Sequence, residues 1–458
     1  MREIIDNIKK VLHITNGNVY IVGGYIRDKL LNMEVISEDL DIIYEGDIKD
    51  FIDNLEMIGY SIFPIKESIG IYRSVIKGKI IDIAKLKGRN IEEDLRSRDF
   101  TINAIALKLI ENKIIDPFKG REHLKAKLIH EVTDNSIKDD KVRILRAYRL
   151  SLKLGMHFSK SCEEHIIEES RYIKQYPKER IYTELIKLIE EDKEAIAFEA
   201  LERCGVLQNL IPYIDELKVI GKCRYHIEDA FTHMNLVYKN FKALLKGNLT
   251  IKGLDLELLN NKLGGTYIKS YIAFAAFSHD IGKAKCYKKI EDKVSFIGHD
   301  KVGAEIISEV CEELGFPKEG KKLIEILVEA HMYPLGLCKN RVKNNKKSFY
   351  KLFSRYDKFI PFILTLSYCD MYATKMLYDP DNEEELFKKY IEQLFEEYKL
   401  FRKARDNRFI NGKQVMEITK REGKEIKLVL EDLEKKTYFG LINNAEEAIN
   451  YLKGIKNI

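Results

Sequence analysis

The sequence predicts an α+β protein, in which a small head of mixed strands and helices is followed by a long, almost wholly helical body. Short apolar runs rich in β-branched residues, separated by glycines, occupy roughly the first quarter of the chain. From about residue 120 the apolar residues recur at helical spacing, and the whole chain contains only 8 prolines. Strands followed by a run of helices are typical of this fold class.

Composition bounds the possibilities. The 458 residues are enough for about three domains of ~150 residues each. With 45% hydrophobic and 33% charged residues, the chain is predicted to be soluble and globular rather than disordered. The net charge of +5 excludes a strongly basic protein, so any RNA surface has to be a local patch.

Targeting and cysteine patterns point to the cytoplasm. Apolar residues near the N-terminus share one face of a charged helix, unlike a secretory signal. No apolar run approaches the ~20 residues needed to span a bilayer, so we expect no membrane partner. The 7 cysteines form no CxxC pair, which favours reduced core thiols over a zinc site.

The first strand is predicted at residues 19–22, and Gly23 and Gly24 break it before a short helix at residues 25–31. Backbone without Cβ atoms, followed by a helix N-terminus, suits a triphosphate. Arg27 and Asp28 stand in the first turn of that helix.

The second strand, around residues 40–44, begins at Asp39 and carries Asp41. Residues two apart on a strand point to the same face. Two such carboxylates can hold two Mg²⁺ ions about 3.5–4 Å apart for in-line attack on a phosphate. Further strands are predicted at residues 60–65, 69–76, 79–84 and 114–115. Asp82, on the third of these four, is either a third metal ligand or an edge charge.

Four motifs in this order, GGYIRD, EDLDIIYEG, RDFTINAIAL and IIDPFKGREHL, resemble the nucleotidyltransferase signature of the polymerase-β superfamily. More narrowly, the chain resembles the bacterial tRNA nucleotidyltransferase and poly(A) polymerase family, the CCA-adding enzymes. The resemblance implies a polymerase-β-like head in which Asp39 and Asp41 are catalytic and hold Mg²⁺. It also implies that a nucleotide is bound by Gly23, Gly24, Arg27 and Asp28.

The RDFTINAIAL segment, residues 98–107, is predicted to be a strand or turn that enters an apolar helix. The resemblance implies that Arg98 and Asp99 contact the ribose and triphosphate, and that Asn103 helps to hold the loop. The competing interpretation is a local ion pair in which Asp99 caps a helix.

The segment DDKVRILRAYRL, residues 139–150, is predicted to be helical throughout, with Asp140 and Arg143 on one face and Arg146 and Arg149 near them. Aspartate only accepts hydrogen bonds, and arginine only donates them. Cytosine and adenine each present an amino donor beside a ring-nitrogen acceptor, whereas uracil and guanine present an acceptor beside an N–H donor, so this pair would select C and A.

The same segment resembles the family's EDxxR protein template, with Asp139 in place of the first Glu. The alternative is an exposed salt bridge worth a few tenths of a kcal/mol. In the next helix, residues 177–189, Arg180 and Glu184 are expected to brace helices. A patch for the RNA backbone is predicted at Lys138, Lys141, Arg146, Arg149 and Lys153.

A second chemical centre begins near residue 225. Imidazole and carboxylate ligands suit a divalent transition metal and an activated water. The pattern resembles the HD phosphohydrolase superfamily, which implies that the ligands are His233, His279, Asp280 and Asp370, around a metal such as Ni²⁺, Mn²⁺ or Co²⁺. His226 is expected outside the ligand shell, whereas His299 and His331 either join a second metal or phosphate site or are helix-surface residues.

The last portion resembles the C-terminal module of family members that carry an HD domain. Four domains are therefore predicted: a nucleotidyltransferase head at 1–125, a helical neck at 126–215, an HD domain at 216–380, and a helical, tRNA-binding tail at 381–458.

The resemblance implies template-independent addition of CMP and AMP to the 3′ end of tRNA from CTP and ATP. A poly(A) polymerase or a partial, CC- or A-adding enzyme is the alternative, because the link at residues 84–97 is short where many CCA-adding relatives carry a longer flexible loop. A different class is an HD phosphohydrolase whose head only binds RNA. The presence of both Asp39 and Asp41 argues against it. The oligomeric state is left open.

Overall fold

The computed structural model describes residues 1–33, 39–221, 228–291, 293–339, 346–406 and 408–455. The chain forms two compact units, Met1–Leu210 and Ile211–Ile458, here called the N-terminal and C-terminal units. Both the mixed-sheet head and the mainly helical remainder agree with the predicted fold class. The four predicted domain ranges stay a prediction.

The N-terminal unit is built on a seven-stranded sheet in the order β3-β4-β5-β2-β1-β6-β7. Strands β2 and β5 are parallel, and the other neighbours are antiparallel. The strands are β1 (Asn18–Val22), β2 (Leu40–Glu45), β3 (Ile62–Lys66), β4 (Ile71–Ile76), β5 (Lys79–Lys85), β6 (Ala106–Lys108) and β7 (Lys113–Ile115). The strand predicted at residues 114–115 does lie at the sheet edge.

Apolar residues bury the sheet against the head helices. Val22 on β1 and Ile42 on β2 are almost fully buried, as expected for central strands covered on both faces. Helix α1 buries the face that the sequence predicts, including Ile4, Ile8 and Val11. The head helices are α1 (Arg2–Leu12), α2 (Gly24–Leu30), α3 (Ile48–Met57), α4 (Ile91–Arg96) and α5 (Gly120–Lys125).

The apolar helix predicted after Arg98 is wrong. Thr101–Asn103 forms a single 3₁₀ turn, and the following apolar residues form β6, which pairs with β1 on one side and β7 on the other. A short apolar run fits a buried strand as well as a buried helix. This segment forms a strand because hydrogen-bonded pairing is available on both of its edges.

The rest of the N-terminal unit is helical apart from the short parallel pair β8 (Leu128–Ile129) and β9 (His157–Phe158). Its helices are α6 (Ser136–Asp139), α7 (Val142–Leu154), α8 (Lys160–Glu169), α9 (Lys178–Glu191), α10 (Ala197–Arg203) and α11 (Val206–Leu210). The continuous helix predicted from residue 139 is wrong, because Asp140 is extended (φ −149°, ψ 96°) and separates α6 from α7.

The C-terminal unit is helical, with two short hairpins, β10 (Lys262–Leu263) with β11 (Thr266–Tyr267) and β12 (Lys288–Ile290) with β13 (Lys293–Ser295). Its helices are α12 (Ile214–Val219), α13 (Ala230–Leu245), α14 (Ile268–Ser278), α15 (Lys283–Cys286), α16 (His299–Glu313), α17 (Lys318–Ala330), α18 (Met332–Lys339), α19 (Lys346–Tyr356), α20 (Ile360–Lys375), α21 (Glu383–Asp406), α22 (Gly412–Thr419), α23 (Lys424–Tyr438) and α24 (Ala445–Ile455).

Helices α22 to α24 pack around a small core of their own that includes Val415, Val429 and Leu452. Among the helices of the described residues, none combines the length and apolarity that crossing a membrane requires.

Candidate functional site

A cavity of about 700 Å³ opens on the head sheet and extends to helices α7 and α9. The turn between β1 and α2 forms one of its walls. Gly23 has φ +73°, and a Cβ at this position would lie 2.6 Å from Asp41 Oδ2. A side chain is therefore excluded both by backbone conformation and by space, and Gly23 and Gly24 leave bare backbone on the cavity.

Two carboxylates stand beside this turn. Asp39 directly precedes β2 and is exposed, whereas Asp41 is the second residue of the strand and is partly buried. Both line the cavity. Burial raises the pKa of Asp41, Arg98 opposes the rise, and the charges of Asp82 and Asp39 add to it. A divalent cation would relieve this repulsion, so the oxygen donors fit Mg²⁺.

Asp82 lies next to Asp41 on the parallel strand β5. Its two carboxylate oxygens accept hydrogen bonds from Arg73 Nε and Nη2 at 2.7 and 2.8 Å. The carboxylate is thus paired with an arginine on the neighbouring strand.

Arg27 is held by a buried polar network rather than pointing freely into the cavity. Its guanidinium donates to Asp28 Oδ1 at 2.6 and 2.8 Å and to Asn103 Oδ1 at 2.7 Å. Asn103 donates in turn to Asp99 Oδ1. Arg27 and Asn103 line the cavity, whereas the lining does not include Asp28, so Asp28 orients Arg27.

Asp99 connects this network to the neck helices. Arg146 Nη1 donates to Asp99 Oδ2 at 3.0 Å. Burial opposes ionisation of Asp99, but Arg146 and hydrogen bonds from Asn103 and the Phe100 N–H hold its pKa below the ordinary value. Arg98 and Asp99 both line the cavity. The alternative of a simple Arg98–Asp99 pair is not what forms, because Asp99 pairs with Arg146.

Arg146 and Arg149 project from α7 and line the same cavity. Glu184, which is 5% exposed on α9, accepts from both, through Oε1 and Oε2 respectively, at 3.0 Å. Arg149 also bonds to Glu191 at 3.2 Å. These contacts with α9 fix the orientation of the two guanidinium groups.

Asp140 and Arg143 lie close together, although Asp140 is extended and only Arg143 belongs to helix α7. Asp140 Oδ1 accepts from the Val142 N–H at 3.2 Å, and Oδ2 accepts from Arg180 at 2.5 Å. Arg143 Nε lies 3.9 Å from Asp140 Oδ2. The Arg143 guanidinium also donates to the carbonyl oxygens of Ser97, Arg98 and Ser136. Arg143 lines the cavity, whereas the lining does not include Asp140.

Lys85 and Lys87 also line the cavity and were not predicted from the sequence. Lys85 is the last residue of β5, where it pairs with Tyr44, and Lys87 follows two residues later. This position is three residues along the parallel strands from the Asp41–Asp82 pair. The strand register alone therefore does not predict that the two lysines share a cavity with the carboxylates.

The C-terminal unit brings the predicted HD ligands together. Nitrogen and oxygen atoms of His233, His279 and Asp370 lie within 4.8 Å of one another, as do those of His279, Asp280 and His331. His233 Nε2 is 2.9 Å from Asp370 Oδ1, and His279 Nε2 is 3.3 Å from Asp280 Oδ2. His226 lies outside the described residues.

The protonation states of this cluster are set by burial and by its own charged neighbours. Burial lowers the pKa of His331 to about 4, so its imidazole is neutral at pH 7. Burial opposes the charge on Asp280, but Lys283 and His279 hold the pKa of Asp280 well below its ordinary range. His279 donates from Nδ1 to the Ala276 carbonyl at 2.9 Å, if its proton is on that nitrogen, which turns Nε2 toward the cluster. Burial opposes a charge on His279, but Asp280 and Asp370 raise its pKa to about 10, so a metal would have to displace a proton from this imidazole. Neutral His331 and ionised Asp280 already have the forms in which these residues bind a transition metal.

His299 and His331 belong to the same cluster. Their Nε2 atoms are 3.3 Å apart and lie 3.2 and 3.9 Å from Asp280 Oδ1. His331 is fully buried, so the helix-surface interpretation is wrong for it.

Comparisons with known proteins match separate parts of this chain. Three family models match: "Poly A polymerase head domain" over residues 19–130, "Probable RNA and SrmB-binding site of polymerase A" over 155–218, and "HD domain" over 255–354. The first covers the glycine turn and both carboxylates, and the third covers His279, Asp280, His299 and His331.

Among curated proteins, the multifunctional CCA protein of Mannheimia succiniciproducens is 30% identical over 335 residues, which are 69% of this chain and 74% of that protein. The CC-adding tRNA nucleotidyltransferase of Thermus thermophilus is 27% identical over 374 residues, 79% of this chain and 77% of that protein.

The solved structure of the Thermotoga maritima CCA-adding enzyme complexed with tRNA is similar in fold, with a TM-score of 0.60 and 23% identity over 99% of this chain and 95% of that one. Sequence, site and fold therefore lead to one conclusion: this chain belongs to the family of tRNA nucleotidyltransferases and poly(A) polymerases.

Proposed function

We propose that this protein adds CMP and AMP to the 3′ end of tRNA, using CTP and ATP. One observation carries the proposal. A single cavity collects the bare glycine turn, both carboxylates, and the Arg98, Asp99 and Arg143 side chains. Phosphate-binding backbone, metal-binding oxygens and a hydrogen-bonding edge for a base are the three parts that nucleotidyl transfer needs.

The residues divide the work along the cavity. Backbone at Gly23 and Gly24 and the guanidinium of Arg27, held by Asp28, receive the triphosphate. Asp39 and Asp41 would hold Mg²⁺, which when bound supplies charge neutralisation at the departing pyrophosphate and acidifies the terminal hydroxyl. The 3′ oxygen of the RNA forms a bond to the α-phosphorus, the bond from that phosphorus to pyrophosphate breaks, and the hydroxyl proton goes to solvent.

Asp140 and Arg143 are proposed to choose the base. Arg143 reaches the cavity from α7, and Asp140 lies beside it. Because Asp140 already accepts from Arg180, one carboxylate oxygen has to turn toward an incoming amino group. Arg98 and Asp99 contact the ribose and triphosphate, and Asn103 helps to hold their loop. Arg146 and Arg149 add positive charge to the cavity, and Glu184 fixes the orientation of both guanidinium groups. This reaction takes place in the cytoplasm, where tRNA and both nucleotides are found.

Extension of a tRNA that ends at its discriminator base tests the proposal. The tRNA is incubated with Mg²⁺ and CTP alone, ATP alone, or both, and the products are resolved at single-nucleotide length. A CCA-adding enzyme extends by two nucleotides with CTP and by three with both. Extension by two under both conditions identifies a CC-adding enzyme, and long products with ATP identify a poly(A) polymerase. A second tRNA that already ends in CC is tested in parallel, because an A-adding enzyme extends only this substrate, by one nucleotide with ATP. No extension of either tRNA contradicts nucleotidyl transfer.

The buried histidine–aspartate cluster favours a second activity, a metal-dependent phosphohydrolase. Its ligands His233, His279, Asp280 and Asp370 suit Ni²⁺, Mn²⁺ or Co²⁺. The substrate we propose is a 2′,3′-cyclic or terminal phosphate at an RNA 3′ end, since such an end has to become a hydroxyl before it can be extended. Hydrolysis of 2′,3′-cyclic AMP with each metal in turn tests this function, and a protein that binds none of the metals contradicts it.

A further inference from the structure

A row of charged side chains crosses the head sheet beside the proposed metal ligands. The strand register aligns Val22 on β1 with Asp41 on β2, Asp41 with Asp82 on β5, and Asp82 with Arg73 on β4. Residues directly opposite on adjacent strands project to the same face. Asp41, Asp82 and Arg73 therefore rise from the face on which the cavity lies.

The Arg73–Asp82 pair has a defined geometry. Two parallel hydrogen bonds of 2.7 and 2.8 Å join Nε and Nη2 to the two carboxylate oxygens. The bidentate arrangement fixes the plane of the guanidinium. The side chains are 43% and 37% exposed, so a ligand can reach them. Among the contacts of the described residues, Nη1 of Arg73 donates to none, which leaves part of the five-donor fork for another acceptor.

The order of groups along the row matters for the reaction. Gly23 follows β1 at one end, the metal-binding Asp41 comes next, and the Arg73–Asp82 pair lies one to two strands further, at about 4.8 Å per strand. In phosphoryl transfer the attacking and leaving oxygens are roughly in line. If the pyrophosphate leaves from the glycine turn, the attacking hydroxyl has to come from the side of β5 and β4.

We propose that Arg73, oriented by Asp82, binds the phosphodiester next to the 3′-terminal nucleotide of the RNA and so positions its terminal hydroxyl for attack. This inference rests on the proposed nucleotidyl transfer and adds the residue that holds the acceptor end. Guanidinium suits this role because its planar fork matches phosphate oxygens. Asp82 acts as a positioning residue for Arg73 and is not itself a metal ligand.

Steady-state kinetics of Arg73→Ala with a tRNA acceptor minihelix test the proposal. We expect the KM for the RNA to rise about tenfold, since one charge-assisted contact is lost, while the KM for CTP changes less than about twofold. Arg73→Lys keeps the charge without the fork and should give an intermediate KM. The matched control is Lys77→Ala, in the turn between β4 and β5. This change breaks an exposed pair with Glu3 on α1 and should leave both KM values unchanged.

Equilibrium binding without Mg²⁺ gives a readout that does not depend on turnover. Fluorescence titration compares the minihelix with one whose 3′-terminal phosphodiester is replaced by an uncharged methylphosphonate. Arg73→Ala should weaken only the RNA that carries the charged linkage, and this measurement remains informative if the wild-type protein proves unable to add nucleotides. Equal weakening of both RNAs, or a parallel rise in the KM for CTP, would overturn the proposal.

Asp82→Asn separates the two roles considered for Asp82. If Asp82 positions Arg73, the substitution should raise the KM for the RNA and leave the Mg²⁺ concentration for half-maximal rate unchanged. A higher Mg²⁺ requirement with an unchanged RNA KM would make Asp82 a metal ligand and reject our assignment. Thermal melting of each variant identifies any loss of folding.

Discussion

The two candidate metal centres of this chain are built in opposite ways. In the head, Asp39 is exposed and Asp41 partly buried, on a wide cavity lined by polar side chains. In the C-terminal unit, His233, His279 and His331 are at most 1% exposed, and hydrogen bonds orient their rings.

The difference indicates how each centre would use a metal. Two carboxylates alone would leave most positions around an ion such as Mg²⁺ for water and substrate phosphates, so we expect the head to bind its metal together with the nucleotide. The buried cluster offers imidazoles and carboxylates in fixed positions, and it can hold a metal before any substrate arrives. The predictions below test this contrast, beginning with the largest expected effect.

Replacing Asp39 and Asp41 by Ala together should reduce nucleotide incorporation by roughly a thousandfold or more, because several kcal/mol of transition-state stabilisation depend on the metal. The affinity for tRNA should stay nearly unchanged, since the carboxylates act on the reacting phosphate. Single-turnover incorporation and filter binding measure the two quantities. Substantial incorporation by the double variant would remove the head cavity as the active centre.

Replacing His279 and Asp280 by Ala together should abolish metal-dependent hydrolysis and the bound transition metal while sparing nucleotide addition. The cluster lies in a different compact unit from the head carboxylates, so its loss does not alter their ligands. Elemental analysis of the purified protein measures the metal directly. His157→Ala, at an exposed histidine outside the cluster, is the control. Unchanged metal content in the double variant would contradict the ligand assignment.

Asp140→Ala should leave nucleotidyl transfer possible but reduce discrimination against UTP and GTP. The expected loss is ~1–3 kcal/mol, the value of a good hydrogen-bonded contact to a base edge. Competition between CTP and UTP for the same tRNA measures it as a ratio of kcat/KM values. Arg180 is the partner of Asp140 in the structure, so Arg180→Ala serves as a comparison that keeps the carboxylate. Unaltered discrimination in Asp140→Ala would contradict the protein template.

Asp99→Asn should lower the free energy of unfolding at neutral pH by about 2 kcal/mol, because the buried Asp99 loses its charge-assisted hydrogen bond from Arg146. Arg146 keeps Glu184 as a second partner. Since the folded-state pKa of Asp99 lies below its ordinary value of 3.8, its stabilisation is present above that value and is lost as the pH falls through the folded pKa. The variant should therefore lose less stability on acidification.

Urea unfolding at pH values from about 6 down to 3 measures this difference. Asp53→Asn, at an exposed carboxyl on α3, is the control and should follow the wild-type curve. A variant with the wild-type pH dependence would mean that the charge of Asp99 is not coupled to folding.

The sequence by itself determined the features of this protein that depend on residues close together in the chain. The alternation at Asp39 and Asp41 and the glycine turn after a strand predicted the first candidate centre. The resemblance of the histidine and aspartate pattern to HD proteins predicted the second. The mixed-sheet head and helical body were also predictable, because the periodicity of apolar residues changes near residue 120.

Tertiary structure decided what depends on partners distant in the chain. Residues 106–108 form a strand because β1 and β7 pair with the two edges of this segment. Asp140 meets Arg143 and Arg180 across a break between helices that local propensity does not predict. The pairing of Asp82 with Arg73, and of Glu184 with two arginines, depends on strand order and helix packing. A single sequence carries little information on these arrangements, since many pairings satisfy the same local pattern.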